Sequence, residues 1–340
     1  MVKSNVLRTS IAVALLSVFL SCGRNAGSSL EEHCDKRDMV ETVGLTSIEE
    51  KLPEMSSGSL FMMGDTLIIQ DNKSTEMQFF AYDIKDSKYL GKFGKFGEGP
   101  GEIANFGAVV IDRENKMLYG MNYNRFEMYG FNVDEALSDP DYDCFFKIKL
   151  KETNGTTPLV LSGDVINDST VYYEVMLPNA DWNELESRIG IVNFNSGNIS
   201  LIEEDGGHSD PKSQNALAAS RKYDLLVWAS RTYDRICIFD YDGDLKKIIY
   251  GPDYREIREK QITEYFSHPC IGKDGIYATY LNDFRVNQLY PDKIIVMDHS
   301  GNYVKTLDVG IKITGMAYNE NFNRLYLSTT DYPQFGYIQL

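Results

Sequence analysis

Histidine, cysteine and tryptophan are scarce in this sequence, whose 340 residues include 4 His, 5 Cys and 2 Trp. So few cysteines and histidines exclude a disulfide-dense scaffold and an array of zinc fingers. Basic residues are also in deficit, because 34 Lys and Arg face 50 Asp and Glu and leave a formal net charge of -16. A chain this acidic repels phosphate backbones, so nucleic acid is not an expected partner.

A membrane-spanning hydrophobic run is missing near the N-terminus. The apolar stretch from Ile11 to Leu20 is interrupted only by Ser17, and it falls short of the roughly 20 residues that a spanning helix needs. It follows Lys3 and Arg8 and precedes small residues. A basic start, a short apolar core and a small-residue cleavage point are typical of a secretory signal peptide.

A cysteine directly after that run changes the prediction. Leu20-Ser21-Cys22 resembles a bacterial lipobox, in which the cysteine thiol receives diacylglycerol. We predict a lipoprotein signal peptide over residues 1–21, a lipidated Cys22 that anchors the protein to the membrane, and a flexible tether over residues 22–38. The expected location is the cell envelope, as an outer-membrane lipoprotein, with the periplasmic and surface sides both open. The alternative is an ordinary signal peptide with an accidental cysteine, or an uncleaved anchor.

The other four cysteines are Cys34, Cys144, Cys237 and Cys270. An oxidising compartment permits disulfides, but no Cys-x-x-Cys motif points to a metal or redox site. Cys237 and Cys270 lie in apolar strand patterns, which favours buried free thiols. The sequence leaves the pairing of the four open.

Apolar strand-like segments recur along the chain at intervals of about fifty residues. Their anchor positions are 51, 53, 54, 51 and 49 residues apart. The anchors are Leu67, Leu118, Val171, Leu225, Ile276 and Leu325. Each segment follows another apolar stretch, and later strand patterns are joined by hairpin turns such as Asp242-Gly243 and Ser300-Gly301.

Four antiparallel strands in each such repeat describe one blade of a β-propeller. Six anchors therefore predict an all-β fold, a single six-bladed β-propeller over residues 39–340. The last repeat ends at its third strand, whereas Met39–Val43 is a strand without a repeat of its own. We predict that this N-terminal strand closes the ring as the outer strand of the last blade, which removes an open sheet edge. A pair of β-sandwich domains is the alternative.

A glycine-rich segment separates the first two repeats. It contains Gly94, Gly97 and Gly99-Pro100-Gly101-Glu102-Ile103, and the strand Gly107–Asp112 follows it. A phosphate-binding loop would be followed by a helix, whereas a strand follows here. We therefore assign the glycines to a connection between blades in which the backbone adopts positive φ. The segment resembles the inter-blade connection of TolB-like and NHL-type six-bladed propellers, above all the propeller lipoproteins of anaerobic Gram-negative gut bacteria. That resemblance implies a propeller fold and a binding role, and it supplies no catalytic residue.

Three arginines are candidates for ligand binding because each follows the second strand of its repeat. Arg125, Arg231 and Arg285 are expected on one face of the propeller, where guanidinium groups suit a carboxylate or sulfate. Ordinary solvated turn residues would give the same pattern. His268, which we place at the start of the inner strand of blade five, joins the candidates. A lone histidine is nevertheless more often structural than a general base.

These features predict non-catalytic binding of a ligand or protein at the channel mouth by a monomer. The partner is a protein, a peptide or a glycan-derived ligand. No nucleophile motif marks a catalytic residue, and no cofactor or metal is expected. The alternative is a metal-dependent, lactonase-like hydrolase with oxygen ligands in the central channel.

Two hydroxyl residues are candidates for O-glycosylation. Thr66 follows Asp65 and Ser169 follows Asp168. Both pairs resemble the short Asp-Ser/Thr sequons that some anaerobic gut bacteria glycosylate on exported proteins. Both are expected at hairpins, where plain turn residues explain them equally well.

Overall fold

Four-stranded antiparallel sheets recur six times along the chain and stand in a ring, which confirms the predicted six-bladed β-propeller. The computed structural model describes residues 30–340 except 57, 100, 140–141, 145, 154, 157, 168, 180–184, 203–213, 256–261 and 288. The segment from Glu31 to Leu340 is one compact unit. Cys22 and the predicted signal peptide lie outside the described residues.

Three short strands precede the blades: β1 (Glu31–His33), β2 (Val40–Thr42) and β3 (Thr46–Ser47). Blade one contains β4 (Ser59–Met63), β5 (Thr66–Gln70), β6 (Met77–Asp83) and β7 (Lys88–Lys95). Blade two contains β8 (Phe106–Asp112), β9 (Met117–Asn122), β10 (Glu127–Asn132) and β11 (Phe146–Lys149). Blade three contains β12 (Leu159–Asn167), β13 (Thr170–Pro178), β14 (Leu185–Asn193) and β15 (Ile199–Leu201).

Blade four contains β16 (Asn215–Ser220), β17 (Leu225–Ser230), β18 (Arg235–Phe239) and β19 (Leu245–Tyr250). Blade five contains β20 (Thr263–Gly272), β21 (Gly275–Phe284), β22 (Lys293–Met297) and β23 (Tyr303–Asp308). Blade six contains β24 (Ile313–Asn319), β25 (Arg324–Thr329) and β26 (Phe335–Gln339). The first strand of each blade lies innermost, and these strands meet one another around the ring, with β24 beside β4.

Helix is a minor component of the described chain. The α-helix α1 (Val133–Ser138) connects two strands of blade two, and its first turn is capped by the Asn132 side chain, which accepts a hydrogen bond from Glu135 N. Three short 3-10 helices span Glu49–Lys51, Arg221–Tyr223 and Arg285–Asn287. No helix within the described part of the chain has the length and apolar character needed to cross a membrane.

The repeat anchors lie in the second strands of the blades, where all six side chains are buried. Both faces of a blade pack against neighbouring blades, so these strands are mostly apolar and buried. In β17, for example, all six residues are buried. The described core accordingly consists of apolar clusters that each join two neighbouring blades, rather than one central mass.

The N-terminal chain closes the ring, but the predicted closing residues are wrong. Thr46 and Ser47 of β3 pair with Tyr337 and Gly336 of β26 and complete blade six. The predicted closing strand instead contributes Val40–Thr42, which pair in parallel with β23 as a fifth strand on blade five. Because a parallel strand on blade five leaves the edge of β26 open, the chain continues to blade six before it closes the ring.

The predicted tether also ends earlier than residue 38. Residues Glu31–His33 pair in parallel with β19, and Cys34 N donates to Tyr250 O at 2.8 Å. Arg37 then forms a 2.7 Å ion pair with Asp234, whose side chain is fully buried. Backbone pairing with the outer edge of blade four and a buried charge pair therefore hold the chain from Glu31 onward.

Candidate functional site in the central channel

The six inner strands surround a channel that residues of every blade line, with a volume of about 1220 Å³. Because the strands alternate in direction, the turns between first and second strands all lie at one end, which we call the hairpin mouth. The loops between second and third strands lie at the opposite end, which we call the loop mouth. The channel is therefore a cavity with two chemically distinct entrances.

Neighbouring blades cap the free edges of the inner strands with side chains. An inner strand exposes unpaired backbone groups on its channel side, and such edges need partners. At three junctions a neutral side chain donates to an inner-strand carbonyl. These donors and acceptors are Gln70 Nε2 to Phe106 O (2.9 Å), Tyr123 Oη to Val160 O (2.6 Å) and Ser328 Oγ to Gly58 O (2.6 Å).

At the junction of blades three and four the roles are reversed, because side chains of blade three accept hydrogen bonds from N–H groups of the inner strand of blade four. The N–H groups of Asn215, Leu217 and Ala219 lie at alternate positions of β16 and point to the same side. Their acceptors are Glu174 Oε1 (2.8 Å), Ser162 Oγ (3.2 Å) and Asp164 Oδ2 (3.2 Å), in that order. Two of these three acceptors are carboxyl groups, so this junction places titratable groups in the channel wall.

Glu174 is the more deeply buried of the two carboxyl groups. Glu174 is 1% exposed, and its Oε1 also accepts a 2.8 Å hydrogen bond from Ser187 Oγ. Burial raises the pKa of Glu174 to about 7, against the opposing effects of these hydrogen bonds and of the Arg231 charge. The carboxyl therefore exchanges its proton near neutral pH.

Asp164 repeats this arrangement nearer the hairpin mouth. Its Oδ1 accepts a hydrogen bond from Val165 N at 2.9 Å, in addition to the bond from blade four. Burial raises the pKa of Asp164, and the charge of Arg113 opposes that shift. Each carboxyl of blade three is thus influenced by an arginine of a neighbouring blade.

His268 lies in the channel wall, in the middle of β20 rather than at its start as predicted. Its φ of 48° is unusual for a non-glycine residue, and the pairing of β20 with β21 shifts between Ser267 and Cys270. A bulge of this kind re-aims a side chain. Burial and the positive charge of Arg231 lower the pKa of His268 to about 4, so the imidazole is neutral at neutral pH.

The predicted convergence of three arginines does not occur. Arg231 lines the channel at the loop mouth, where its guanidinium has no hydrogen-bond or salt-bridge partner among the described residues. Arg125 instead donates from Nη2 to Glu98 O at 3.3 Å, and Arg285 pairs with Glu264 at 2.8 Å. Neither Arg125 nor Arg285 lines the channel. Each guanidinium is held instead by the acceptor just named.

The arginines of the hairpin mouth were not among the residues predicted from the sequence. Arg113 follows β8 and Arg221 follows β16, and both line the channel as exposed residues. They lie in turns between first and second strands, whereas the predicted arginines lie in loops after second strands. The repeat places those first turns together as well, at the hairpin mouth of the channel. Glu174 was missed too, and the available signal was a single acid inside the apolar run Val171–Met176.

The remaining predicted sites are placed as follows. Thr66 begins β5 beside the first hairpin of blade one, and Ser169 lies in the corresponding hairpin of blade three, where its N and Oγ donate to Asn167 Oδ1. Among the described residues, the cysteines at 34, 144, 237 and 270 form no disulfide. Burial raises the pKa of Cys144 to about 11 and that of Cys270 to about 12, which makes both poor nucleophiles.

Metal ligands were a specific requirement of the hydrolase alternative. Within the described ranges, no three His, Cys, Asp or Glu side chains lie close enough together to hold a metal ion. The channel acids of blade three are instead engaged by backbone N–H groups.

Scans against protein-family models and against curated proteins give no match. Among solved structures, the fold is similar to a member of the DUF4221 family from Bacteroides vulgatus, with a TM-score of 0.60 and 12% identity over 85% of this chain and 94% of that one. It is also similar to a luciferin-regenerating enzyme, with a TM-score of 0.55 and 11% identity over 86% of this chain and 93% of that one. Identities this low establish the propeller fold alone.

Proposed function

We propose that this protein is a non-catalytic binding propeller that takes a small anionic ligand into its channel through the loop mouth. The observation that carries the proposal is the Arg231 guanidinium, which lines the channel without a partner among the described residues. Arginine offers planar, bidentate donors to a carboxylate. The neutral His268 imidazole beside it adds a further hydrogen-bonding group without adding charge.

The acidic residue of this site favours an anion at low pH. Glu174 is the nearby carboxyl whose charge interacts with Arg231, and its pKa of about 7 means that it is largely uncharged below neutrality. Protonation removes the carboxylate charge that interacts with Arg231. Anion binding should therefore strengthen as pH falls through about 7.

The test is the affinity of galacturonate and of a short glutamate peptide, measured by titration calorimetry. A charge-assisted hydrogen bond contributes roughly 1.5–3 kcal/mol, so Arg231→Ala should weaken binding about 10-fold or more. Arg125→Ala is the matched control, since it removes the same group outside the channel, and it should bind as the natural protein does. Equal affinities of Arg231→Ala and the natural protein would contradict the proposal.

We also propose that the protein acts in the cell envelope as a monomer, anchored to the membrane by lipid on Cys22. Support comes from the apolar run and the lipobox-like Leu20-Ser21-Cys22, together with the TolB-like and NHL-type resemblance. Mass spectrometry of the membrane fraction should find diacylglycerol on Cys22. Cys22→Ala should release the protein from that fraction, and an unlipidated soluble protein would refute the anchor.

The hydrolase remains the competing function. Propellers of similar fold include a luciferin-regenerating enzyme, so the fold does not decide between binding and catalysis. The described residues offer no metal-ligand cluster, and the partnerless arginine favours binding. Stoichiometric metal in the purified protein, with loss of function on chelation, would overturn the binding proposal.

A further inference from the structure

We infer that the ligand is a linear polycarboxylate that spans the channel, held by Arg231 at the loop mouth and by Arg113 and Arg221 at the hairpin mouth. This inference rests on the proposed function at the loop mouth and names the class of ligand. Its independent observation is the second group of arginines, at the end of the channel where no ligand-binding residue was predicted.

Arg113 lines the channel at the hairpin mouth. It belongs to blade two, yet its Nε donates to Met62 O of blade one at 3.2 Å. Its charge also acts on Glu320 of blade six, on Asp164 of blade three and on Cys270 of blade five. An arginine that influences groups on both sides of the ring lies where a ligand in the channel would meet it.

Arg221 supplies a second cation at the hairpin mouth. It begins the 3-10 helix between the first two strands of blade four and lines the channel. Its charge acts on Tyr241, and its guanidinium has no hydrogen-bond or ion-pair partner in the described part of the chain. The adjacent Lys222 is different, because it pairs with Glu320, which also accepts a 2.6 Å hydrogen bond from Tyr223 Oη. Glu320 is thereby occupied by two donors, and the Nη groups of Arg113 and the guanidinium of Arg221 stay available to a ligand.

The length of the channel excludes a single small anion as a bridge between the mouths. Strand β16 begins at Asn215 near the loop mouth, and Arg221 follows its last residue at the hairpin mouth. At about 3.3 Å per residue these positions lie roughly 20 Å apart. Only an elongated ligand reaches both groups of arginines at once.

Between the mouths, small and apolar side chains form most of the channel wall and leave room for a ligand, and the carboxyl groups of Asp164 and Glu174 are the acidic exceptions. The small lining residues are Gly107, Ala108, Gly163, Ala216, Ala218 and Ala317. The formal net charge of -16 makes the rest of the surface unfavourable to polyanions. Cations at both ends of the channel therefore select a ligand with separated carboxylates, and the remaining surface competes little for it.

The experiment compares galacturonate oligomers of increasing length by titration calorimetry, with oligoglutamate peptides as a second source of the same chemistry. Affinity should rise with length until the oligomer reaches both mouths, by about 10-fold or more. The double variant Arg113→Ala/Arg221→Ala should reduce the affinity of the long oligomer to that of the monomer and leave the monomer unaffected. Arg231→Ala should weaken both. Either the sugar or the peptide series behaving this way supports the inference and identifies the source.

Two controls keep the outcomes separate. Arg125→Ala and Arg285→Ala remove arginines that lie outside the channel and should not alter the length dependence. A neutral oligosaccharide of equal length should not bind. If the monomer binds through Arg231 but affinity is independent of length and of Arg113, the inference is overturned and the proposed function stands. If no carboxylate binds at all, both fail.

Discussion

The molecule buries carboxyl groups in two contrasting ways. Asp234, between blades four and five, is fully buried and pairs with Arg37, which also lies over the rings of Phe266 and Tyr280 at 5.3 and 5.0 Å. Glu174, in the channel wall, is equally buried but has neutral hydrogen-bond partners. Burial raises the pKa of Asp234 and the Arg37 charge opposes that rise, so the pair fastens the N-terminal chain, whereas burial raises the pKa of Glu174 to about 7. Burial alone does not tell a structural charge from a functional one; the partner does.

The strongest test of this comparison removes the counter-charge. Arg37→Met should destabilise the protein by about 3–5 kcal/mol, because Asp234 is left buried without its partner. Urea unfolding followed by tyrosine and tryptophan fluorescence measures the loss. Adding Asp234→Asn to the Arg37→Met variant removes the stranded charge and should recover part of the stability. A loss below about 1 kcal/mol would mean that this pair is as weak as a surface pair.

The next test concerns Glu174, the acid whose hydrogen-bond partners are neutral. The folded-state pKa of Glu174 is raised from 4.5 to about 7, so its stabilising effect is complete below pH 4.5 and is lost as pH rises through about 7. As pH rises from about 5 to about 8, the free energy of unfolding of the natural protein should fall by about 2–3 kcal/mol more than that of Glu174→Gln. The low pKa of His268 acts in the opposite direction, but it is common to both proteins.

Unfolding free energies at both pH values provide the measurement. Glu76→Gln is a suitable control because Glu76 is exposed and pairs with Lys92 at the surface. Its pH profile should parallel that of the natural protein. If the Glu174→Gln profile were parallel as well, Glu174 would be ionised throughout, and the contrast with Asp234 would disappear.

A third test asks how far shape, rather than charge, fastens the N-terminal chain. A Cβ on Gly336 would lie 2.6 Å from both Leu45 Cγ and Thr46 O, at the pairing that closes the ring. Gly336→Ala should therefore cost about 1–3 kcal/mol through overpacking. Gly44, in the same segment, has open space around its Cβ position, so Gly44→Ala should leave the melting temperature almost unchanged. Equal melting temperatures for the two variants would show that the closing strand yields easily.

The repeat made the architecture predictable from sequence. The six apolar anchors recur at a regular interval that is visible in the sequence without any knowledge of tertiary contacts. Each anchor lies in a buried second strand, as expected. Closure of the ring by an N-terminal strand was predicted correctly, but the residues of that strand were not. Val40–Thr42 and Thr46–Ser47 are both short strand segments, and only the available sheet edges decide which blade each one joins.

The candidate site was less predictable because it depends on contacts between blades. Arg125, Arg231 and Arg285 each follow the second strand of a repeat, yet of these three only Arg231 lines the channel. Loops after second strands share one end of the propeller, but the local acceptors Glu98 O and Glu264 Oε1 hold the other two guanidinium groups. Loop length and such acceptors are not repeated, so the period carries no information about them.

The smallest expected effect completes the comparison of paired charges. Arg285 lies 2.8 Å from Glu264, nearly the distance that separates Arg37 from Asp234, but its side chain is 34% exposed against 8% for Arg37. Solvent screens the exposed pair, and surface pairs contribute between about 0 and 1 kcal/mol. Arg285→Ala should therefore shift the free energy of unfolding by less than about 1 kcal/mol, measured in the same urea titration as Arg37→Met. A loss as large as that of Arg37→Met would show that the distance between the charges, and not their burial, sets the contribution of an arginine–carboxylate pair in this protein.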